Sequence, residues 1–294
     1  MQTFGNKLLY SLAASTLGGL ARLPLGLAYW FGARLGDLLY LVLTERRRIT
    51  LANLALAFGT DKTPAERRQL ARTTFRNLGQ HLVDFSHLSQ LTPSTFTAIC
   101  HVEGLEHIEA LLQRRRGLLI LSAHFGSWEL APAMALCLTT PVHIIVRPLD
   151  HPALQRLATA YRQRCGYRAI PRRAALMECL KVLRRGEIVA VLMDQSSLQR
   201  ESVQVEFFGT KAHTSIGPAL LALRTGCPVV SAFLIRAGRG RHRLVFSQEI
   251  PVRRTGHVQH DIVETTREFT RVIESYVRRY PDHWFWLHRR WKQR

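Results

Sequence analysis

Between residues 100 and 250 the chain alternates short apolar runs with stretches of helical period. The runs at 117–123 (GLLILSA), 142–147 (VHIIVR), 187–193 (EIVAVLM), 228–236 (PVVSAFLIR) and 243–248 (RLVFSQ) predict strands. Helices are predicted near 128–138, 151–164, 173–185 and 214–226, and a last one over about 259–280. This alternation predicts an α/β fold with a mostly parallel central sheet flanked by helices. Upstream, 48–58 and 64–89 read as helices. Thr63-Pro64-Ala65-Glu66 carries the start signal of the second: Thr at the N-cap, Pro at the first helical position and Glu at the third. No internal repeat or low-complexity tract interrupts the pattern.

Residues 8–43 are apolar almost throughout, with charge only at Arg22, Arg34 and Asp37. The longest uncharged run, 8–21, is shorter than the roughly 20 residues a spanning helix needs. Three readings stand. One is a signal peptide with Lys7 as its basic flank, although no good small-x-small cleavage site is followed by a plausible mature start. Another is a buried helical hairpin broken near Pro24. The third, a helical membrane anchor that spans or lies in the interface, is the expectation adopted, with Arg46, Arg47 and Arg48 on the cytoplasmic, anionic side.

Charge sharpens the picture. Lys and Arg total 41 of the 294 residues against 21 Asp and Glu, a formal net charge of +20, and most of the cations are Arg. Such a surface favours anionic partners, and Arg matches phosphate bidentately. The 47% apolar content is ample for a packed core. The five cysteines (Cys100, Cys137, Cys165, Cys179, Cys227) are scattered and form no C-x-x-C, as expected of buried thiols in a reducing compartment; neither a metal nor a redox site is expected.

The candidate chemistry sits where the first strand ends. His124 follows GLLILSA, and Glu129 stands five positions later on a strand–turn–helix corner. Ligands of such sheets bind beyond the carboxyl ends of the strands, and His124 and Asp194 each stand just past one. The turn is expected to bring the Glu129 carboxylate to one imidazole nitrogen, making His124 a general base that deprotonates a substrate hydroxyl for attack on an acyl carbonyl. Gly126 allows close backbone approach, with N–H groups around it to hold the oxyanion. Ser127 lacks the G-x-S-x-G context of a nucleophile, and H-E-x-x-H is absent here. A lone His with an acid five residues away is also compatible with a structural histidine.

Six blocks follow one another along the chain: AHFGSWE, an H-x4-(D/E) motif; IIVRPLDHP with Arg147; YRQRCGYRAIPRR with Arg162; VLMDQ with Asp194 and Gln195; VEFFGTKAHTSIGPALLALRTGCPVV; and PDHWFWLHRRWK. Together, over about 45–292, they resemble the late acyltransferases of lipid A biosynthesis, members of the lysophospholipid acyltransferase superfamily. The resemblance implies an acyltransferase domain over 45–294 behind a membrane anchor over 1–44, at the cytoplasmic face of the inner membrane. It implies acyl transfer from an acyl carrier protein thioester to a hydroxyl of a phosphorylated glycolipid, without cofactor, metal or covalent enzyme intermediate. His124 would be the base, Glu129 its partner, and Arg147, Arg162, Asp194 and Gln195 would bind substrate. Ser196 departs from the pattern, since the family often has a second acid there. Related enzymes acylate other glycolipids, some from acyl-CoA.

Each feature also has a plainer structural account. Arg162 and Arg164 form a solvated helix face, Asp194 caps a turn, and Thr214 is the N-cap of the next helix. Trp284, Trp286 and Trp291 pack a core or form an interfacial belt, and His288-Arg289-Arg290 lie near the crevice or face phosphates. Two rivals come from other classes: a nucleic-acid-binding protein, opposed by the dispersion of the basic residues and the lack of a binding motif, and an inactive membrane scaffold.

Overall fold

The computed structural model describes residues 2–292. Four helices lead: α1 (Gln2–Leu20), α2 (Leu25–Val42), α3 (Thr44–Phe58) and α4 (Pro64–His87). Then follow α5 (Pro93–Ile99), β1 (Cys100–Glu103), α6 (Leu105–Leu112), β2 (Leu118–Ser122), β3 (Val142–Val146), α7 (Pro152–Arg162), β4 (Arg168–Pro171), α8 (Ala175–Arg184) and β5 (Ile188–Leu192). The chain closes with β6 (Ser202–Phe207), β7 (Thr210–Ser215), α9 (Gly217–Thr225), β8 (Val229–Gly238), β9 (Arg241–Phe246) and α10 (Val258–Arg279).

Seven strands form the central sheet in the order β1-β9-β8-β2-β5-β3-β4, parallel except where β8 meets β9. The predicted α/β class with a mostly parallel, helix-flanked sheet is thus observed, and all five predicted strands are present. Both faces are covered, so the strands read as apolar runs rather than alternating ones. Leu119 and Leu121 of β2 face the core under α3, α8, α9 and α10, while Leu118 and Ile120 face the core under α5, α6 and the turn 131–137.

Several elements escaped the sequence pattern. β4 is a four-residue edge strand (RAIP) carrying Arg168 and Pro171, which weaken any strand signal. β6 and β7 form a separate antiparallel hairpin. The helix expected over 128–138 is only a 3-10 turn, Ala131–Cys137. The helix expected from 214 begins at Gly217, because Thr214 belongs to β7, where it is buried and accepts a hydrogen bond from Arg290 Nη2. Thr214 is therefore not an N-cap. The N-cap signal of α4 holds: Thr63 and Glu66 form a reciprocal capping box behind Pro64. Four cysteines are buried and unpaired as expected; Cys137 is half-exposed.

The N-terminal segment is a helical hairpin broken at Pro24. Among the described residues no helix is long and apolar enough to cross a membrane. One face of α2 packs on α4 at glycine contacts, with Gly32 and Gly36 against Gly79 and Phe75. Asp37 of α2 accepts from Arg72 and Arg76 of α4 at 2.7 and 2.8 Å. The opposite face leaves Leu27, Trp30, Phe31, Leu35, Leu38, Leu41 and Val42 exposed at helical spacing. The boundary expected at residue 44 falls at the junction of α2 with α3.

A Cβ on Gly79 would lie 1.9 Å from the Gly32 carbonyl oxygen. Gly79→Ala is therefore expected to destabilise the fold by about 1–3 kcal/mol, read as a lower urea midpoint. Gly19→Ala on α1, where nothing lies within 4 Å, is the control for helix propensity and should leave the midpoint unchanged or raise it slightly.

Candidate active site

β2 and β5 are adjacent, parallel and in register, with Ser122 opposite Leu192. Two residues beyond each strand, His124 and Asp194 therefore arrive at one place. Nδ1 of His124 lies 2.9 Å from Oδ1 of Asp194. A carboxylate only accepts, so Nδ1 carries the proton and Nε2 keeps its lone pair. The ring is partly exposed, and its Nε2 lies 3.3 Å from Nε2 of Gln195, whose amide donates to it. Asp194 is buried, and its second oxygen accepts from the Trp284 indole N–H at 2.8 Å. Burial pushes the Asp194 carboxyl up, but His124 and Trp284 outweigh it and hold it below the usual carboxylate range. For His124, burial opposes the charged ring; the Asp194 charge and hydrogen bond, with Glu129 farther off, outweigh burial and hold its pKa above the ordinary value.

Two expectations about the turn need correction. Glu129 does not touch His124. Its carboxylate receives Arg162, the last residue of α7, through Nε at 2.8 Å and Nη2 at 2.5 Å. The bidentate fork satisfies both oxygens, and strand register has already given Nδ1 of His124 to Asp194. Nor is the Gly126 N–H free to hold an oxyanion, because it donates to the His283 carbonyl at 2.8 Å. Gly126 instead allows a close approach: its φ is +57°, and a Cβ there would sit 1.9 Å from the Leu234 carbonyl oxygen. The Arg162 fork is occupied by Glu129. Arg147 stands apart, exposed beyond β3 and paired with Asp150 at 3.1 Å.

The closing segment clamps this turn. Phe285 N–H donates to the His124 carbonyl at 3.0 Å, and Phe125 and Trp284 form an antiparallel bridge. Trp284 and Trp286 are buried, which settles them as core rather than an interfacial belt. His288 lies by the crevice, its Nε2 accepting from Ser196 N–H at 3.2 Å. Burial drives this imidazole down to about 4. Arg289 pairs with Glu45 at the surface, and Arg290 is buried. Trp284 is the site residue that sequence reasoning did not assign, and only its place in the closing block could have pointed to it. Beneath the turn, a buried cluster of Asp84, Ser127, Arg236 and His242 was likewise unmarked, its members lying far apart along the chain.

A sequence model of the family described as bacterial lipid A biosynthesis acyltransferase matches residues 5–293. A lipid A biosynthesis lauroyltransferase of Escherichia coli is 28% identical over 96% of this chain and 91% of the relative. A lipid A biosynthesis palmitoleoyltransferase of the same organism is 27% identical over 93% and 87%. A phosphatidylinositol mannoside acyltransferase of Mycobacterium tuberculosis is 28% identical over a shorter stretch, 47% of this chain and 45% of the relative.

The His124–Asp194 pair has a measurable signature. His124 is expected to titrate above its ordinary value in an NMR titration, and Asp194→Asn, which removes the charge, to bring the midpoint down. Its folded pKa is raised, so its contribution to stability is complete below the unfolded value of about 6.5 and is lost as pH rises through the folded one.

Proposed function

The chain belongs to the bacterial lipid A biosynthesis acyltransferase family, and on that premise we propose that it moves a fatty acyl group from an acyl carrier protein thioester to a hydroxyl of a lipid A precursor, using His124 as the base and Asp194 as its partner. Family membership makes it an acyltransferase acting on lipid A or a related glycolipid. The observation that carries the finer reading is the Nδ1 bond of His124 to buried Asp194, which leaves Nε2 unprotonated on a partly exposed ring.

In this reading Nε2 takes the proton of the acceptor hydroxyl as its oxygen attacks the thioester carbonyl. The tetrahedral adduct collapses, the carbon–sulfur bond breaks, and the departing thiolate takes the proton from the imidazolium. Asp194 favours the charged ring between the two transfers. Gln195, whose amide nitrogen stands 3.3 Å from Nε2, is the side-chain donor nearest to where charge develops on the carbonyl oxygen. The Glu129–Arg162 pair braces the corner after the turn. No covalent enzyme intermediate and no cofactor are required, because the thioester already supplies an activated acyl group.

The partners follow from charge and apolar surface. A net charge of +20 suits an acidic carrier protein and a phosphorylated lipid. The exposed face of α2 suits an interfacial seat at the cytoplasmic side of the inner membrane, with Arg46, Arg47 and Arg48 beside it for anionic headgroups. In this reading residues 1–44 are the anchoring segment and 45–294 the acyltransferase domain.

The test is mass spectrometry of the purified protein with a tetra-acylated lipid A precursor and lauroyl thioesters of acyl carrier protein or coenzyme A. A gain of one acyl chain is expected with the carrier-protein thioester. His124→Ala should lower the rate by about 10²–10⁴-fold, and near-wild-type turnover in that variant would overturn the mechanism. Transfer only to a phosphatidylinositol mannoside would reassign the acceptor, and preference for coenzyme A would reassign the donor. The base must be unprotonated and its pKa is raised, so kcat/KM should climb with pH through a midpoint above 6.5 and then level off. In a separate co-sedimentation assay with anionic vesicles, Trp30→Glu with Leu38→Glu should cut binding about a hundredfold or more, the effect of burying two fewer large apolar side chains at about 1.5 kcal/mol or more each. Unchanged binding would move the anchor to the basic surface.

A further inference from the structure

Beneath the catalytic turn lies a carboxylate that the acyl-transfer step does not use. Asp84, on α4, is buried. Its Oδ1 accepts the hydroxyl of Tyr29, on α2 of the N-terminal hairpin, and has His242 of β9 at 3.4 Å. Its Oδ2 accepts the hydroxyl of Ser127, three residues after His124, and Nη2 of Arg236 at 2.5 Å. The same Nη2 donates to Ser127 Oγ at 2.8 Å. One carboxylate thus joins the hairpin, helix α4, the catalytic turn and the two strands β8 and β9.

The connections close into a ring. The backbone N–H of Arg236 donates to His283 Nε2 at 3.1 Å, and the His283 carbonyl accepts the Gly126 N–H. Gly126 and Ser127, consecutive residues of the turn, are therefore held by opposite ends of one network, with Arg236 bonded to both sides of it. A second contact runs parallel. His81, one turn before Asp84 on α4, stacks on Trp128 at 3.8 Å between ring centroids, and Trp128 meets His124 edge-on at 5.6 Å. Burial drives the His81 imidazole down to about 4, so this stack is neutral at physiological pH.

A buried ion pair with hydrogen-bonded satellites is a poor source of net stability, because desolvation offsets much of the attraction. Its attested use is to specify one arrangement among several. What this one specifies is the position of Ser127 relative to α2 and β8. Burial works against the charge of Asp84, but His242, Arg236 and Ser127 outweigh it and hold the carboxyl well below its usual range. The glycine contacts between α2 and α4 bring the Tyr29 hydroxyl within reach.

We propose that Asp84 is a positioning residue through which the N-terminal hairpin sets the catalytic turn: Tyr29 and Ser127 are tied to the same carboxylate, so the seating of α2 governs turnover as well as membrane attachment. The proposal rests on the acyl-transfer reading of His124.

The test uses the full chain in detergent micelles, which takes vesicle attachment out of the readout. Steady-state transfer from lauroyl carrier-protein thioester to the tetra-acylated precursor is measured for Tyr29→Phe, Ser127→Ala and the double variant. Each single change should lower kcat by about tenfold, the rate equivalent of one lost buried hydrogen bond, with KM for both substrates within about twofold. Because both act through Asp84, the double variant should be about as slow as either single one rather than about a hundredfold slower. Hydrogen exchange at the Gly126 and Ser127 amides should quicken in Tyr29→Phe. Ser127→Ala carries the kinetic test independently of hairpin packing. A wild-type kcat in either single variant, an effect confined to KM, full additivity, or unchanged exchange would each overturn the coupling. A wild-type chain that transfers nothing would instead strike the acyl-transfer reading, and the exchange measurement would still decide whether the hairpin holds the turn.

Discussion

The hydrogen bond between His124 and Asp194 is the constraint around which the crevice is arranged. A carboxylate buried at the end of a parallel sheet is costly unless each oxygen finds a donor. Asp194 has two donors, and they come from opposite ends of the chain's logic. His124 arrives through the register of β2 against β5, and Trp284 arrives because the C-terminal segment folds back across the turn. The return is itself secured by backbone pairing of 124–126 with 283–285, so residues 283–285 are part of the site.

That arrangement separates two tasks that the H-x4-E spacing suggests are one. Asp194 fixes the tautomer of His124 and offsets its charge. Glu129 and Arg162 form a bidentate pair of opposite charges that ties the start of the 131–137 turn to the end of α7. A fork filled by a carboxylate has little left to offer a phosphate. The pair is therefore a brace across two elements, and the negative field of Glu129 reaches His124 without a direct bond.

Much of the fold was legible because its signals are local. Apolar runs mark the five longer strands of the central sheet, the Thr63–Glu66 capping box marks α4, and Pro24 marks the break in the hairpin. The shortfalls are of one kind. β4 is short, lies at the edge and contains Pro171, and β6 and β7 pair only with each other, so neither produces the signal of a buried strand. Nearness in sequence points His124 to Glu129, whereas the actual partner is 70 residues away, and strand register, which a single sequence does not display, brings it in. The strand ends alone bring His124 and Asp194 together but do not pair them. The close approach expected at Gly126 is present, but that it is made to Leu234 and that the Gly126 N–H is taken by His283 is invisible along the chain.

The hairpin raises a different point. An apolar segment whose sole task is to hold a protein at a bilayer needs hydrophobicity and little else. α2 carries much more sequence detail than that. Gly32 and Gly36 admit the backbone of α4, Asp37 collects two arginines of α4, and Tyr29 reaches a buried carboxylate. These features lie on the face turned away from Leu27, Trp30, Leu38 and Leu41, so one helix presents a generic apolar surface outward and a specific, close-packed one inward. Hydrophobicity alone tolerates many substitutions, but a glycine at van der Waals contact with backbone and a tyrosine bonded to a buried aspartate tolerate few. The inner face is thus where the sequence of the hairpin is constrained, and that constraint points toward the turn that carries His124 and Ser127.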